Sequence, residues 1–248
     1  MEDLLACPYC HGDLEIKGDA FCKNCGKQFR KKCNFIDFRV ENYLKGGNAL
    51  QMRLYNAYAT FYDRLEPLLA RVIGFTEEAL RKELVGEMGI RKGDRILEIC
   101  IGTGSNIPYF KEEGASLIAG VDISEEMLGR CAEKFPDTYL FLACAEALPF
   151  KDNAFDRVLI GGGVAHMTSP RKAFEESHRV LRSKGRLVIY EQLMLLEKLM
   201  GKEDIKRLIG IKPETEMKLF KGRFVILSLG KKPNLKILKE LRCEDGRG

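Results

Sequence analysis

The sequence predicts an α/β protein: a largely parallel sheet with helices on both faces, preceded by a small cysteine-bearing module. Three observations carry this expectation. From Gly93 onward, short apolar runs alternate with helical patterns, as βα units closing into a parallel sheet require. A glycine turn, Gly102-Thr103-Gly104, follows the first of those runs and opens a helix. Two Cys-x-x-Cys pairs stand ahead of all of this, near the N-terminus.

The chain divides into residues 1–40, linking helices over 41–92, a core over 93–232 and a tail over 233–248. In the first segment, Cys7-Pro8-Tyr9-Cys10 and Cys22-Lys23-Asn24-Cys25 are separated by eleven residues. Zinc takes four soft ligands in a tetrahedron, and each Cys-x-x-Cys turn brings two thiolates to one metal. Gly12 and Gly26 supply the sharp turns. Cys33 and His11 are rival ligands, but Cys33 lies far past the second turn and His11 duplicates Cys10. Four protein ligands leave no open position, which points to a structural Zn2+ and not a catalytic one. A segment of this size has too little core to fold unaided, so the metal would supply folding energy. The ribbon is therefore a docking or substrate-presenting module.

In the linking region, Leu50, Leu54, Tyr58, Phe61 and Leu65 recur on one helical face. Pro67 stands where that helix bends or ends. A second helix runs from Thr76, its N-cap, to Met88.

The core then reads as seven strands with intervening helices. The strands are 95–101, 116–121, 138–143, 155–160, 185–190, 214–220 and 223–230, the last two joined as an antiparallel hairpin through Lys221-Gly222. Ser124 caps one helix, with Glu125 and Glu126 in its first turn. Ser169-Pro170 starts another, with Ala173, Phe174, Ser177, Val180 and Leu181 inward. A further helix spans 195–209. In such sheets the ligand sits beyond the carboxyl ends of the strands, at the switch point. Gly102 and Gly104 fall there, and Asp122, at the end of the next strand, can accept hydrogen bonds from two ribose hydroxyls. A dinucleotide fingerprint would want a third glycine at position 107, which is isoleucine, so NAD is disfavoured.

Composition sets bounds. The 248 residues are 45% hydrophobic and 31% charged, enough for a sizeable soluble core. No apolar run approaches the roughly 18 residues that cross a bilayer. Met1-Glu2-Asp3 is acidic and no signal-type apolar region follows, so the expected location is cytoplasmic. Nine cysteines, an odd number, read as reduced thiols and not a disulfide framework. The net charge of +5 permits an anionic partner such as RNA or a lipid surface without requiring one.

Four stretches in order carry a resemblance: Leu97-Glu98-Ile99-x-x-Gly102-Thr103-Gly104, Gly120-Val121-Asp122-Ile123-Ser124-x-x-Met127-Leu128, Ala145-Glu146-Ala147-Leu148-Pro149-Phe150-x-Asp152-Asn153-x-Phe155-Asp156 and Arg179-Val180-Leu181-Arg182-x-x-Gly185-Arg186-Leu187. Together they span residues 93 to about 191 and resemble class I S-adenosylmethionine (SAM) dependent methyltransferases, in particular the ubiquinone/menaquinone C-methyltransferase (type 11) group. The resemblance implies a Rossmann-like seven-stranded sheet and SAM as cofactor. It implies that Glu98 reaches the methionine amino group, with Gly102 and Gly104 beside the methionine moiety. Asp122 would hold the ribose hydroxyls, Ile123 and Leu148 would sandwich adenine, and Ala145 would offer its N–H to an adenine nitrogen. The group usually has glycine where Cys100 stands, and often an adenine-reading aspartate where Cys144 stands, so Glu146 or a backbone carbonyl substitutes. Tyr58-Ala59-Thr60-Phe61-Tyr62-Asp63 is similar to a segment that forms a lid over the cofactor in that group, which gives Tyr62 a cofactor-contacting role. Residues 1 to about 40 resemble the small zinc-ribbon proteins that partner methyltransferases, on Leu5-Ala6-Cys7-Pro8-x-Cys10, Cys22-x-x-Cys25-Gly26, Phe29 and Ile36-Asp37.

The acceptor is less constrained. The loop after the fourth strand, Gly161-Gly162-Gly163-Val164-Ala165-His166, faces the cofactor in this fold, so His166 is the candidate general base. His178 falls within a helix and is expected to be exposed. No Asn-Pro-Pro-Tyr motif or Pro-Cys nucleophile follows the fourth strand, which disfavours exocyclic-amine and 5-methylcytosine chemistry. The first expectation is a small or lipophilic acceptor such as a quinone precursor or lipid. The alternative is an RNA base, with Lys17, Lys23, Lys27, Arg30, Lys31 and Lys32 meeting phosphates. The ribbon could also dock a protein partner.

Overall fold

The computed structural model describes residues 1–32, 34–46, 48–50, 52, 77–192, 206, 209–210, 213–219 and 224–231. The helix expected through Leu54 to Leu65, the Thr76 cap, most of the helix over 195–209, Tyr62, Cys33 and the Lys221-Gly222 turn lie outside those residues.

A seven-stranded sheet carries the core. Its strands are β6 (Arg95–Ile99), β7 (Leu117–Asp122), β8 (Tyr139–Leu142), β9 (Phe155–Gly161), β10 (Leu181–Gln192), β11 (Thr215–Leu219) and β12 (Phe224–Gly230). The order across the sheet is β11-β12-β10-β9-β6-β7-β8. β6 through β10 are parallel to one another, whereas β12 runs antiparallel to both β10 and β11. The chain leaves β6 toward β7 and β8, then returns to place β9 on the other side of β6. That reversal opens a crevice above the β6 and β9 tips, where ligands bind in open α/β sheets.

The helices are α1 (Glu77–Met88), α2 (Ile107–Glu112), α3 (Glu125–Lys134) and α4 (Pro170–Val180). α1 buries Leu80, Leu84, Val85 and Met88. Ser124 caps α3 by accepting a hydrogen bond from the Met127 amide at 3.2 Å, as its sequence position predicts. The five inward residues expected of the α4 region, Ala173, Phe174, Ser177, Val180 and Leu181, are all buried. His178 departs from expectation: it is half-buried against the Phe174 ring, so it is not a solvent-facing histidine. β10 also begins earlier than the apolar run at 185, because Leu181 pairs with Phe155 before the register shifts at Arg186.

The N-terminal segment forms small strands: β1 (Leu14–Lys17), β2 (Asp19–Cys22), β3 (Gln28–Phe29), β4 (Lys31–Lys32) and β5 (Phe35–Ile36). β1-β2-β3 is one antiparallel sheet and β4-β5 a second. This segment packs against the β8 edge. Leu5 bridges Phe150 and Asp37 bridges Leu142. The Phe29 and Phe38 rings meet at a tilt of 48° with centroids 5.1 Å apart, Phe38 reaches Phe141 at 6.5 Å, and Phe141 meets Phe150 edge-on at 5.2 Å. Leu4, Leu5, Cys7, Ala20, Cys22, Phe29 and Phe38 therefore belong to one hydrophobic cluster with the sheet residues. An otherwise unpaired edge is covered by the chain's own N-terminus.

Candidate functional site

The crevice is lined from β6 outward. After Ile99 the backbone turns through Cys100 (φ 61°), Gly102 (φ 55°) and Gly104 (φ 83°). A Cβ on Gly102 would meet nothing within 4 Å beyond its chain neighbours, so glycine serves its backbone angle and leaves the tip open. Gly104 is different: a Cβ there would stand 2.7 Å from Cys131 Sγ and from Ile107 Cδ1, so glycine allows the turn to close on α3.

Glu98 points from β6 into this turn and is 2% exposed. Its Oε1 accepts a hydrogen bond from Asn106 Nδ2 at 2.6 Å. Its Oε2 and Asn106 Oδ1 have no hydrogen-bond partner among the described residues. Burial pushes the Glu98 carboxyl up to about 7, against the opposing pull of Asn106 and Arg81. A buried carboxylate oxygen without a donor is costly unless a ligand supplies one. This orphaned pair fits an incoming ammonium group.

Asp122 ends β7 beside the turn. Its Oδ2 accepts from the Gly102 amide and its Oδ1 from the Ser124 amide, both at 2.9 Å. Burial raises its pKa while those amides oppose the rise. Each oxygen keeps a second lone pair for a hydroxyl donor. Ile123 follows, half-buried.

The turn after β8 forms the far wall. Cys144, Ala145, Glu146 and Leu148 are all buried. The Cys144 thiol donates to the Val40 carbonyl at 3.8 Å, and so turns toward the ribbon segment. Glu146 Oε1 accepts from Asn48 Nδ2 at 3.0 Å and from the Ser169 amide at 3.2 Å, while Oε2 has no partner among the described residues. Leu148 is held through its amide, which donates to Glu176 Oε2 at 3.0 Å. Arg179 secures the same turn by donating to the carbonyls of Phe150 and Leu148 at 2.7 and 3.2 Å.

Opposite lies the loop after β9. His166 sits at the end of a short 3-10 turn, Val164–His166, half-buried. The buried Glu191 carboxylate, at the end of β10, accepts from the Gly163 and Ala165 amides at 3.2 and 3.3 Å. Sequence reasoning missed Asn106, Glu176 and Glu191. Asn106 had a local signal, as the polar residue closing the glycine turn; the other two act across 28 and 26 residues and had none.

The four ribbon cysteines come together as the spacing predicts, with their sulfur atoms within 4.8 Å of one another. Cys7 and Cys25 sulfurs are 3.7 Å apart, and Cys10 and Cys22 sulfurs 3.5 Å. Metal–sulfur bonds of about 2.3 Å make a tetrahedron with edges of about 3.8 Å, so the donor set fits Zn2+. His11 is not in the cluster; its Nε2 stands 4.0 Å from Glu176. At the first turn, the left-handed residue is His11 (φ 57°) and not Gly12, where a Cβ would stand 2.6 Å from Asn24 Cβ.

Residues 97–189 match the family model described as a methyltransferase domain. Over 145 residues the chain is 35% identical to demethylmenaquinone methyltransferase from Staphylococcus aureus, covering 56% of this chain and 58% of the relative. The chain thus spans little more than half the length of the curated relatives it matches. Among solved structures, a putative SAM-dependent methyltransferase from Methanococcus maripaludis superposes with a TM-score of 0.56 at 16% identity, over 72% of this chain and 94% of that one. A SAM-dependent methyltransferase from Aquifex aeolicus gives 0.52 at 19% identity, over 61% and 89%. These two likenesses show the fold.

Proposed function

We propose that the chain, whose residues 97–189 match a methyltransferase domain model, binds SAM across the β6, β7 and β8 tips and methylates a small or lipophilic acceptor. The observation that carries this is the pairing of the orphaned Glu98 oxygen with Asp122, on either side of the Gly102 turn. SAM supplies an electrophilic sulfonium methyl group, so the protein's task is chiefly alignment. Glu98 receives the ammonium group and Asp122 the ribose hydroxyls. Gly102 and Gly104 let the backbone approach the methionine moiety. Ile123 and Leu148 enclose adenine, with the Ala145 amide and Glu146 at its polar edge. His166 takes the acceptor proton, on a loop that Glu191 holds. Tyr62 closes over the cofactor. Cys7, Cys10, Cys22 and Cys25 bind a structural Zn2+.

The likeness to a demethylmenaquinone methyltransferase supports a lipophilic quinone-like acceptor. The ribbon's charges support it too: Lys17 and Lys23 both pair with Glu15, Lys32 pairs with Asp37, and Lys27 lies 4.4 Å over the Tyr9 ring. Part of the basic run is thus matched by local carboxylates, which lowers the net positive charge of that face. Among the described residues no helix is long and apolar enough to cross a membrane.

A transfer assay with methyl-labelled SAM against lipid extract and against total RNA tests this reading. Label in the organic phase is expected. Label in RNA alone would replace the acceptor class, and label in neither would overturn both.

A further inference from the structure

Arg39 lies between the ribbon and the crevice at the β7 tip. Its side chain is largely buried, at 13% exposure. Nε and Nη2 donate to the two oxygens of Asp37 at 2.8 and 2.7 Å, a two-point clasp that fixes the guanidinium plane. Lys32 joins the same carboxylate at 2.8 Å. The remaining arm, Nη1, donates to the Ile123 carbonyl at 3.1 Å, across 84 residues of sequence.

Neighbouring contacts make this more than a lone hydrogen bond. The Phe38 amide donates to the Leu142 carbonyl at 2.8 Å, and the Cys144 thiol to the Val40 carbonyl at 3.8 Å. At the other end of the ribbon, the Ala6 amide donates to the Pro149 carbonyl at 3.1 Å and the Lys151 amide to the Leu4 carbonyl at 2.8 Å. The two ends of the ribbon segment thus grip both walls of the nucleoside seat: the Asp122–Ile123 tip and the turn from Cys144 to Lys151.

We propose that Arg39 is a positioning residue for the nucleoside half of the cofactor, holding the Ile123 loop in register with Asp122 and thereby making the ribbon a wall of the pocket. This rests on the reading of the crevice as a SAM site. Arg39 touches neither cofactor nor acceptor; it acts through the Ile123 backbone.

Titration of the full chain with S-adenosylhomocysteine and with 5′-methylthioadenosine tests it, because the second ligand has the nucleoside but no amino-acid tail. Arg39→Leu is expected to weaken both ligands by the same factor, roughly tenfold, the scale of one lost charge-assisted hydrogen bond. Arg39→Lys, which keeps a cation able to reach the Ile123 carbonyl, is expected to recover most of that loss. Asp37→Asn, which loosens the clasp, is expected to weaken both ligands less. If Arg39→Leu does not fold, the Arg39→Lys and Asp37→Asn variants carry the comparison. Unchanged affinities in Arg39→Leu, or in Asp37→Asn where Arg39→Leu does not fold, or a loss confined to S-adenosylhomocysteine, would overturn the proposal while leaving the SAM site intact. Wild-type protein that binds neither ligand would overturn the SAM reading itself, and this inference with it.

Discussion

Cys100 adopts φ 61° where a β-carbon is disfavoured. A non-glycine residue in the left-handed region is strained by about 1–2 kcal/mol, and glycine's greater freedom in the unfolded chain offsets about 0.5–1 kcal/mol of the gain from removing the strain. Cys100→Gly is therefore expected to stabilise the protein by up to about 1 kcal/mol in urea unfolding under reducing conditions. A clear loss of stability would mean that the thiol's packing outweighs the strain. Glu98 yields a pH signature. Its folded-state pKa, about 7, lies above the ordinary carboxyl value of 4.5 because the site is buried. The folded protein therefore holds a proton that the unfolded chain releases. The contribution to stability is fully present below pH 4.5 and is lost as pH rises through about 7. Wild type should lose on the order of 2–3 kcal/mol relative to Glu98→Gln across that window, measured by denaturant unfolding at successive pH values. Parallel pH profiles would show that Glu98 ionises as in water. The glycine turn and the carboxylate at Asp122 were legible in the sequence because strand, turn and next strand lie within a short stretch of chain; Glu98 came only with the family resemblance. The roles of Arg39, Glu176 and Glu191 were not, because each depends on elements that meet only after the sheet has closed.

At the scale of elements, the ribbon segment and β8 act as one unit. Phe38 is wholly buried between Phe29 and Phe141. Truncating such a ring loses transfer energy and leaves a cavity, so Phe38→Ala should destabilise by about 3–5 kcal/mol. Phe21 alternates to the outer face of β2 at 47% exposure, and Phe21→Ala should change stability by less than about 0.5 kcal/mol. Equal effects in chemical denaturation would mean that the aromatic chain from ribbon to sheet contributes no more than a surface ring. The alternation of Ala20, Phe21 and Cys22 in β2 is readable in sequence as period two. That Phe38 packs on Phe141 is not, since the two rings lie far apart in the chain and meet only where Asp37 bridges Leu142.

For the whole molecule, the sequence divided the chain at residue 40, whereas the packing joins what lies on either side. Residues from the ribbon and from the sheet share one hydrophobic cluster. Two expectations follow from that continuity. Cys22→Ser should abolish stoichiometric Zn2+ binding, since three thiolates and a hydroxyl make a poor tetrahedral donor set. Chelation of the metal should lower the melting temperature of the whole protein in a single transition, because the ribbon's folding energy is coupled to the sheet through the β8 edge. Two separated calorimetric transitions would show the ribbon to be an independent module.

The claim on which the rest depends is that a nucleoside lies over the strand tips between the Gly102 turn and Asp122. A crystal structure of the chain grown with S-adenosylhomocysteine tests it most directly. The expected density has the ribose hydroxyls on the Asp122 carboxylate, the ammonium group on the free Glu98 oxygen and adenine between Ile123 and Leu148. Density for the ligand elsewhere, or none at saturating concentration, would contradict the account.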